Sequence, residues 1–214
     1  MDIIEKIIKR DGVWEEHVQS LIKQYVTEDD ICVDIGSHWG FHTELMCKLG
    51  KWVYSFEADT ENYLKQKERL KNSTILSLFN IGLSDKEEEV EWDWKVIGNS
   101  GSNGLKNNPM GTYTDESHSI EKKEGKARLQ KLDNIGIPYS VKLIKIDVEG
   151  YESKVIRGGI NTILNDKPII LLESWSNHYG GVEEESLKKV IHPLLPHYTY
   201  RHIKDGDWLL QPIH

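Results

Sequence analysis

Short apolar runs that alternate with helical segments set the limits on how this chain can fold. Residues 31–33 form the first run and lead through the Gly36 to Gly40 loop into a helix expected to end near Gly50. Residues 52–56 form the second, followed by Thr60 as N-cap and a helix reaching toward Asn72. Residues 75–79 are the third run. Residues 141–148 are the fourth, with Gly150 and a helix over 152–164 behind them. Residues 169–172 are the fifth, followed by a polar loop and a helix over 184–191. Such runs pack as a mainly parallel sheet with helices on both faces. Near the end, residues 198–203 and 208–212 flank Asp205-Gly206, a strong hairpin signal. The expected fold class is therefore α/β, with an antiparallel pair at one sheet edge. Ahead of the sheet, Ile3, Ile4, Ile7 and Ile8 fall on one helical stripe and Val18, Leu21, Ile22 and Tyr25 on another, with Asp11-Gly12 as the break between two helices.

No linker divides the chain, so residues 1–214 read as one domain, with residues 1–28 as N-terminal helices. The stretch 98–119, GNSGSNGLKNNPMGTYTDESHS, has few core residues and reads as a long loop or mobile lid, or else as a disordered insertion. Acids outnumber bases 35 to 27, a net charge of −8, which disfavours nucleic acid or an anionic membrane surface as the main partner. No apolar run approaches the ~18 residues that span a bilayer. The opening MDIIEKIIKRDG mixes acids into its apolar residues and is not a secretory signal. Cys32 and Cys47 form no CxxC motif, and reduced thiols in a cytoplasmic protein are the expectation. Seven tryptophans suit core packing, with sugar stacking as the alternative.

Four runs end in an acid: Asp34, Glu57, Asp147 and Glu173. A carboxylate is costly inside a parallel sheet, but at the carboxyl ends of the strands it reaches the crevice where open α/β sheets bind ligands. In VDIGSHWGFHT, Gly36 permits a sharp turn and Gly40 a close helix start. The spacing D-x-G-x-x-x-G differs from the dinucleotide G-x-G-x-x-G and demotes nicotinamide and flavin chemistry. Glu57 falls where the end of a second strand meets a ribose, its alternative being a helix N-terminal acid. In LIKIDVEGYE, Lys145, Asp147 and Glu149 alternate with apolar residues and share one face if the segment is extended. They cluster at a polar ligand or form a structural lysine–acid network.

These residues resemble the FkbM family of S-adenosylmethionine-dependent methyltransferases. The matching pieces, in the family's order, are VDIGSHWGFHT, SFEAD, NIGLSD, LDNI, KIDVEGYE followed by RGG, and LLES, over roughly residues 31 to 175. The resemblance implies a Rossmann-like class I methyltransferase fold with a seven-stranded sheet. It also implies O-methylation of a hydroxyl on a sugar of a glycan or glycoconjugate, a deoxysugar such as rhamnose or fucose among the candidates. Carried over, Asp34, Gly36, Ser37, His38 and Gly40 would cradle the methionine part of the cofactor, and Glu57 the ribose hydroxyls. Asn80, Ile81, Gly82, Leu83 and Asp85 would lie near the adenine, and Asp147 would face the methionine amino group or the acceptor. Two features depart from the family pattern: the bulky His38-Trp39 pair, and Gly82 where alanine is usual.

A sugar hydroxyl needs a base in contact as the new bond forms. The candidates are Asp147, Glu149, Glu173 and His178, with Asp147 first, Glu149 or Glu173 orienting the acceptor and Lys145 holding the cluster. The same acids could bind Mg²⁺ or Mn²⁺. His38 and His42 lack an HExxH pattern and read as loop and helix residues rather than zinc ligands. Trp175 and Tyr179 could stack on a sugar or simply pack. The rival readings are a methyltransferase acting on a lipid, small metabolite or peptide, and a non-catalytic module that keeps the fold. Nothing in the residues specifies an oligomeric state.

Overall fold

A computed structural model of the chain describes residues 2–108, 119–175 and 182–213. The apolar grammar folds as expected. In chain order, the elements of the first half are helices α1 (Ile3–Asp11) and α2 (Glu16–Tyr25), strand β1 (Ile31–Ile35), α3 (Phe41–Leu49), β2 (Trp52–Phe56), α4 (Thr60–Arg69) and β3 (Leu76–Phe79). Then come five short strands, β4 (Gly82–Leu83), β5 (Glu88–Val96), β6 (Gly104–Leu105), β7 (Ile120–Lys122) and β8 (Lys126–Gln130). The last part is β9 (Val141–Ile146), α5 (Glu152–Gly158), α6 (Ile160–Asp166), β10 (Ile169–Glu173), α7 (Glu184–Val190), β11 (Tyr198–Lys204) and β12 (Asp207–Pro212).

Seven strands make the main sheet in the order β11-β12-β10-β9-β1-β2-β3. All pairings are parallel except the two made by β12. One face packs Val33, Ile35, Ile144, Ile146, Ile170 and Leu172 against α5, α6 and α7. The other packs Cys32, Val53, Leu143, Leu171 and Leu209 against α2 and α3. Successive side chains of a strand point to opposite faces, so both faces of a buried strand must be apolar. Among the described residues no helix is long and apolar enough to cross a membrane.

Three details differ from the sequence reading. Asp59, not Thr60, caps α4, its carboxylate accepting from the Glu61 amide at 2.9 Å. The helix expected over 152–164 is two helices broken at Gly158-Gly159. Residues 82–130 supply a second sheet, ordered β4-β8-β5-β6 with β7 also paired to β5. The strand–helix grammar passes over it, although Val90, Trp92, Trp94 and Val96 alternate with acids and a lysine. Of the 98–119 stretch, residues 98–108 hold a 3-10 turn at Ser100–Ser102 and strand β6, and residues 109–118 lie outside the described residues.

The glycine at the end of α5 has a packing cause. A Cβ there would stand 1.9 Å from the Ser84 carbonyl oxygen, so only glycine lets α5 lie against the chain leaving β4. Gly158→Ala is expected to lower stability by about 1–3 kcal/mol, read as a lower urea midpoint. An unchanged midpoint would show that the two segments are not packed this closely.

Candidate functional site

The strand order reverses direction between β1 and β9, and this switch point opens a crevice above the carboxyl ends of the strands. The chain leaving β1 turns at Gly36, whose φ of +76° is open to glycine. The Gly36 and Ser37 amides donate to the Phe56 carbonyl at 3.0 and 3.1 Å, and the Asp147 amide donates to Ile35 at 3.0 Å. A Cβ on Gly36 would fall 1.6 Å from the Asp147 carbonyl oxygen. The glycine therefore lets the ends of β1, β2 and β9 meet.

A cavity of about 850 Å³ lies over this point. Its floor holds Gly36, Glu57, Asp147 and Glu173. Gly82 and Leu83, with Trp92, Leu105 and Leu129 of the second sheet, line another part. Ile3, Ile4 and Ile7 of α1, and Trp14, Glu15 and His17 at the start of α2, complete the wall. The Asp2 carboxylate fixes α1 there, accepting from the Ile4 and Ser100 amides, both at 3.0 Å.

Glu57 follows β2. Its Oε2 accepts from the His38 amide and its Oε1 from the Asp59 amide, each at 2.7 Å. An ionised carboxylate accepts about four hydrogen bonds, so acceptor capacity remains for a ligand. Burial pushes Glu57 up to about 8 despite the two amides. Burial drives His38 the other way, to about 4, so its ring is neutral at pH 7. That ring stacks on Trp39, and its Nε2 lies 2.8 Å from the Ser100 hydroxyl.

Asp147, Glu149 and Glu173 each bring a carboxylate oxygen within 4.8 Å of the others, a spacing that could hold a divalent ion. Lys145 donates to Asp147 at 2.9 Å. Burial disfavours the Lys145 charge, but Asp147, Asp34 and Glu15 outweigh that and hold its pKa above the usual lysine range. Burial also opposes ionisation of Asp147, yet Lys145 and a hydrogen bond with Glu173 keep its pKa low. Glu173 is raised well above the carboxylate range by burial and by Asp147. Glu149, in left-handed backbone at φ 51°, is pushed up to about 8 by burial, Asp147 and Glu152. At neutral pH the cluster holds one ionised acid on a lysine and two acids that keep their protons.

Of the residues singled out in the sequence, Gly36, His38, Glu57, Gly82, Leu83, Asp147, Glu149 and Glu173 line the cavity. Others lie behind it. Asp34 is buried, accepts from Thr43 at 2.5 Å and stands beside Lys145 in register. Ser37 bonds Gln66 at 2.9 Å, and Gly40 starts α3. Asn80 ties the β3 end to the Glu57 carbonyl at 2.9 Å, Ile81 packs in the core and Asp85 pairs with Arg157. Gly82 fits because a Cβ would lie 2.6 Å from Leu129. His178 and Tyr179 lie outside the described residues. The sequence reading missed Glu15, His17, Asp205 and Asp207, which reach the cavity from the start of α2 and the β11–β12 turn. Only the turn left a signal, since a hairpin closing on β10 carries its acids beside Glu173.

The sheet order is that of a Rossmann-like class I methyltransferase fold. Residues 34–202 match the methyltransferase FkbM domain, and the chain belongs to that family: it is an S-adenosylmethionine-dependent methyltransferase. It is 25% identical over 184 residues to the hexuronic acid methyltransferase AglP of Haloferax volcanii, covering 85% of this chain and 70% of that one. Its fold is similar to methyltransferase FkbM from Methylobacillus flagellatus KT, with TM-score 0.59 and 15% identity over 86% of this chain. The chain spans 44% of that protein's length. It is also similar to SMU.1697c of Streptococcus mutans, solved in complex with SAH, with TM-score 0.56 and 13% identity over 92% of this chain and 97% of that one.

The protonated acids make stability depend on pH. Glu149 titrates near 8 in the fold against an ordinary 4.5, so the folded chain keeps a proton that the unfolded chain has released. That contribution is complete below pH 4.5 and is lost as pH rises through 8. Glu149→Gln in the ligand-free protein should leave Tm nearly unchanged at pH 4. At pH 8.5 it should raise Tm by about 10 °C, the linkage between 4.5 and 8 amounting to about 4–5 kcal/mol. A Tm difference independent of pH would overturn this assignment.

Proposed function

We propose that the protein transfers a methyl group from S-adenosylmethionine to a sugar hydroxyl of a glycan or glycoconjugate. The observation that carries this is the Asp147–Glu149–Glu173 cluster, which lies in the same cavity as Glu57 but two strands away, about 10 Å along the sheet. The hexuronic acid acceptor named for the Haloferax volcanii relative supports the sugar class.

S-adenosylmethionine, when bound, supplies an electrophilic methyl group on a sulfonium. In this reading Glu57 accepts from the ribose hydroxyls, and ligand binding offsets the burial that now keeps it protonated. The Gly36 turn and His38 hold the methionine end, and Gly82 and Leu83 lie near the adenine. Asn80 and Asp85 act from behind the wall. Asp147, kept ionised by Lys145, accepts the proton of the acceptor hydroxyl as the new bond forms. Glu149 and Glu173, carrying protons at neutral pH, donate hydrogen bonds that orient the sugar. Unbridged Cys32 and Cys47 support a reducing, cytoplasmic compartment.

A second reading places Mg²⁺ or Mn²⁺ among Asp147, Glu149 and Glu173, favoured by their 4.8 Å spacing. Activity lost to EDTA and restored by either ion would support it, and full activity after EDTA would remove it.

The test is transfer of labelled methyl from S-adenosylmethionine to a panel of glycans. Asp147→Asn should lower kcat by about 10²–10⁴-fold. Glu57→Gln should instead weaken SAH binding by about tenfold in calorimetry, with a smaller effect on kcat. Transfer to no glycan, or full turnover by Asp147→Asn, would overturn the proposal.

A further inference from the structure

We propose that the half of the cavity over β9, β10 and β12 is an acceptor subsite for an uncharged pyranose, with Trp175 as its platform, and that it rejects sugars bearing a carboxylate. This rests on the sugar-methyltransferase reading above and specifies its acceptor.

The sheet order divides the cavity. Glu57 follows β2, Asp147 follows β9, Glu173 ends β10 and Asp207 begins β12, and these strands lie in that order with only β1 between β2 and β9. Neighbouring strands are about 4.8 Å apart, so Asp207 lies about 10 Å beyond Asp147 on the side away from Glu57. A cofactor seated on Gly36 and Glu57 leaves this half to the acceptor.

Trp175 is held flat in this half. A Cβ on Gly206 would stand 2.5 Å from its Cε2, so the indole lies directly on the hairpin backbone. Its Nε1 donates to Glu173 Oε1 at 3.0 Å. The ring is half-buried and lines the cavity. A rigid aromatic face in the cavity that also holds the Asp147 and Asp207 carboxylates matches a pyranose, which has an apolar C–H face and a rim of hydroxyl donors.

The charges exclude an anionic sugar. Among the described residues, each lysine and arginine lining the cavity lies beside a carboxylate, Lys204 by Asp205 at 3.8 Å and Arg10 by Asp11 at 2.7 Å, and His17 Nε2 lies 2.5 Å from Asp207. Glu15 adds another acid, fixed by His42 at 2.8 Å. The stretches 109–118 and 176–181 contain no lysine or arginine. A uronate carboxylate entering here would meet the carboxylates of Asp147, Asp207 and Glu15, with no unpaired lysine or arginine among the described lining residues, which costs affinity. The acceptor proposed here differs from the hexuronic acid named for the Haloferax volcanii relative.

The experiment uses the full chain saturated with SAH, titrated at pH 7.5 by saturation-transfer NMR. The probes are methyl β-D-glucopyranoside and methyl β-D-glucuronopyranoside, which differ only at C6, with methyl α-L-rhamnopyranoside as a second neutral sugar. The neutral glycosides should bind at least about tenfold more tightly than the glucuronide. Trp175→Ala should weaken neutral binding by about tenfold and Trp175→Phe by less than about threefold, both with unchanged SAH affinity. Equal or tighter glucuronide binding, no binding of any probe, or no effect of Trp175→Ala would overturn the proposal. Failure of SAH to bind the unaltered chain would instead overturn the methyltransferase reading beneath it.

Discussion

The contact on which the rest depends is the meeting of two backbones at the switch point. Gly36 sits against the Asp147 carbonyl with no room for a side-chain carbon between them. Because β1 and β9 close to that distance, the end of β9 projects its acids into a crevice whose other side is Glu57. A larger residue would part the strands and separate the two halves of the cavity at once. The same contact explains why the glycine loop and the KIDVEGYE segment, more than a hundred residues apart, act as one piece of structure.

The second constraint is electrostatic. Asp147, Glu149, Glu173 and Glu15 crowd around a single lysine, more acid than one cation can balance in a poorly hydrated site. The ligand-free protein relieves this by retaining protons on Glu149 and Glu173 and a low pKa on Asp147. A site of this kind favours a cationic ligand, because binding it permits ionisation that burial otherwise opposes. Methyl donation from a sulfonium is compatible with that charge balance.

The walls come from parts with weaker sequence signals. Strand β5 alternates Val90, Trp92, Trp94 and Val96 inward, but its purpose shows only when Trp92, Leu105 and Leu129 are seen above the strand ends. Glu15 carries no local mark of function. It reaches the cavity because α1 and α2 fold back over the crevice and the backbone at Glu15 takes φ 45°.

The chain alone determined the α/β grammar, the glycine loop, the closing hairpin and the family, since these rest on local periodicity and short motifs. Tertiary structure decided which strand-end acids face the cavity. Asp34 lies within β1 and turns to Thr43, whereas Glu57 and Asp147 fall one residue past the ends of β2 and β9. Side chains alternate along a strand, so a single residue of register separates a buried acid from one in the crevice. Register is set by neighbouring strands, and the chain between them does not carry it.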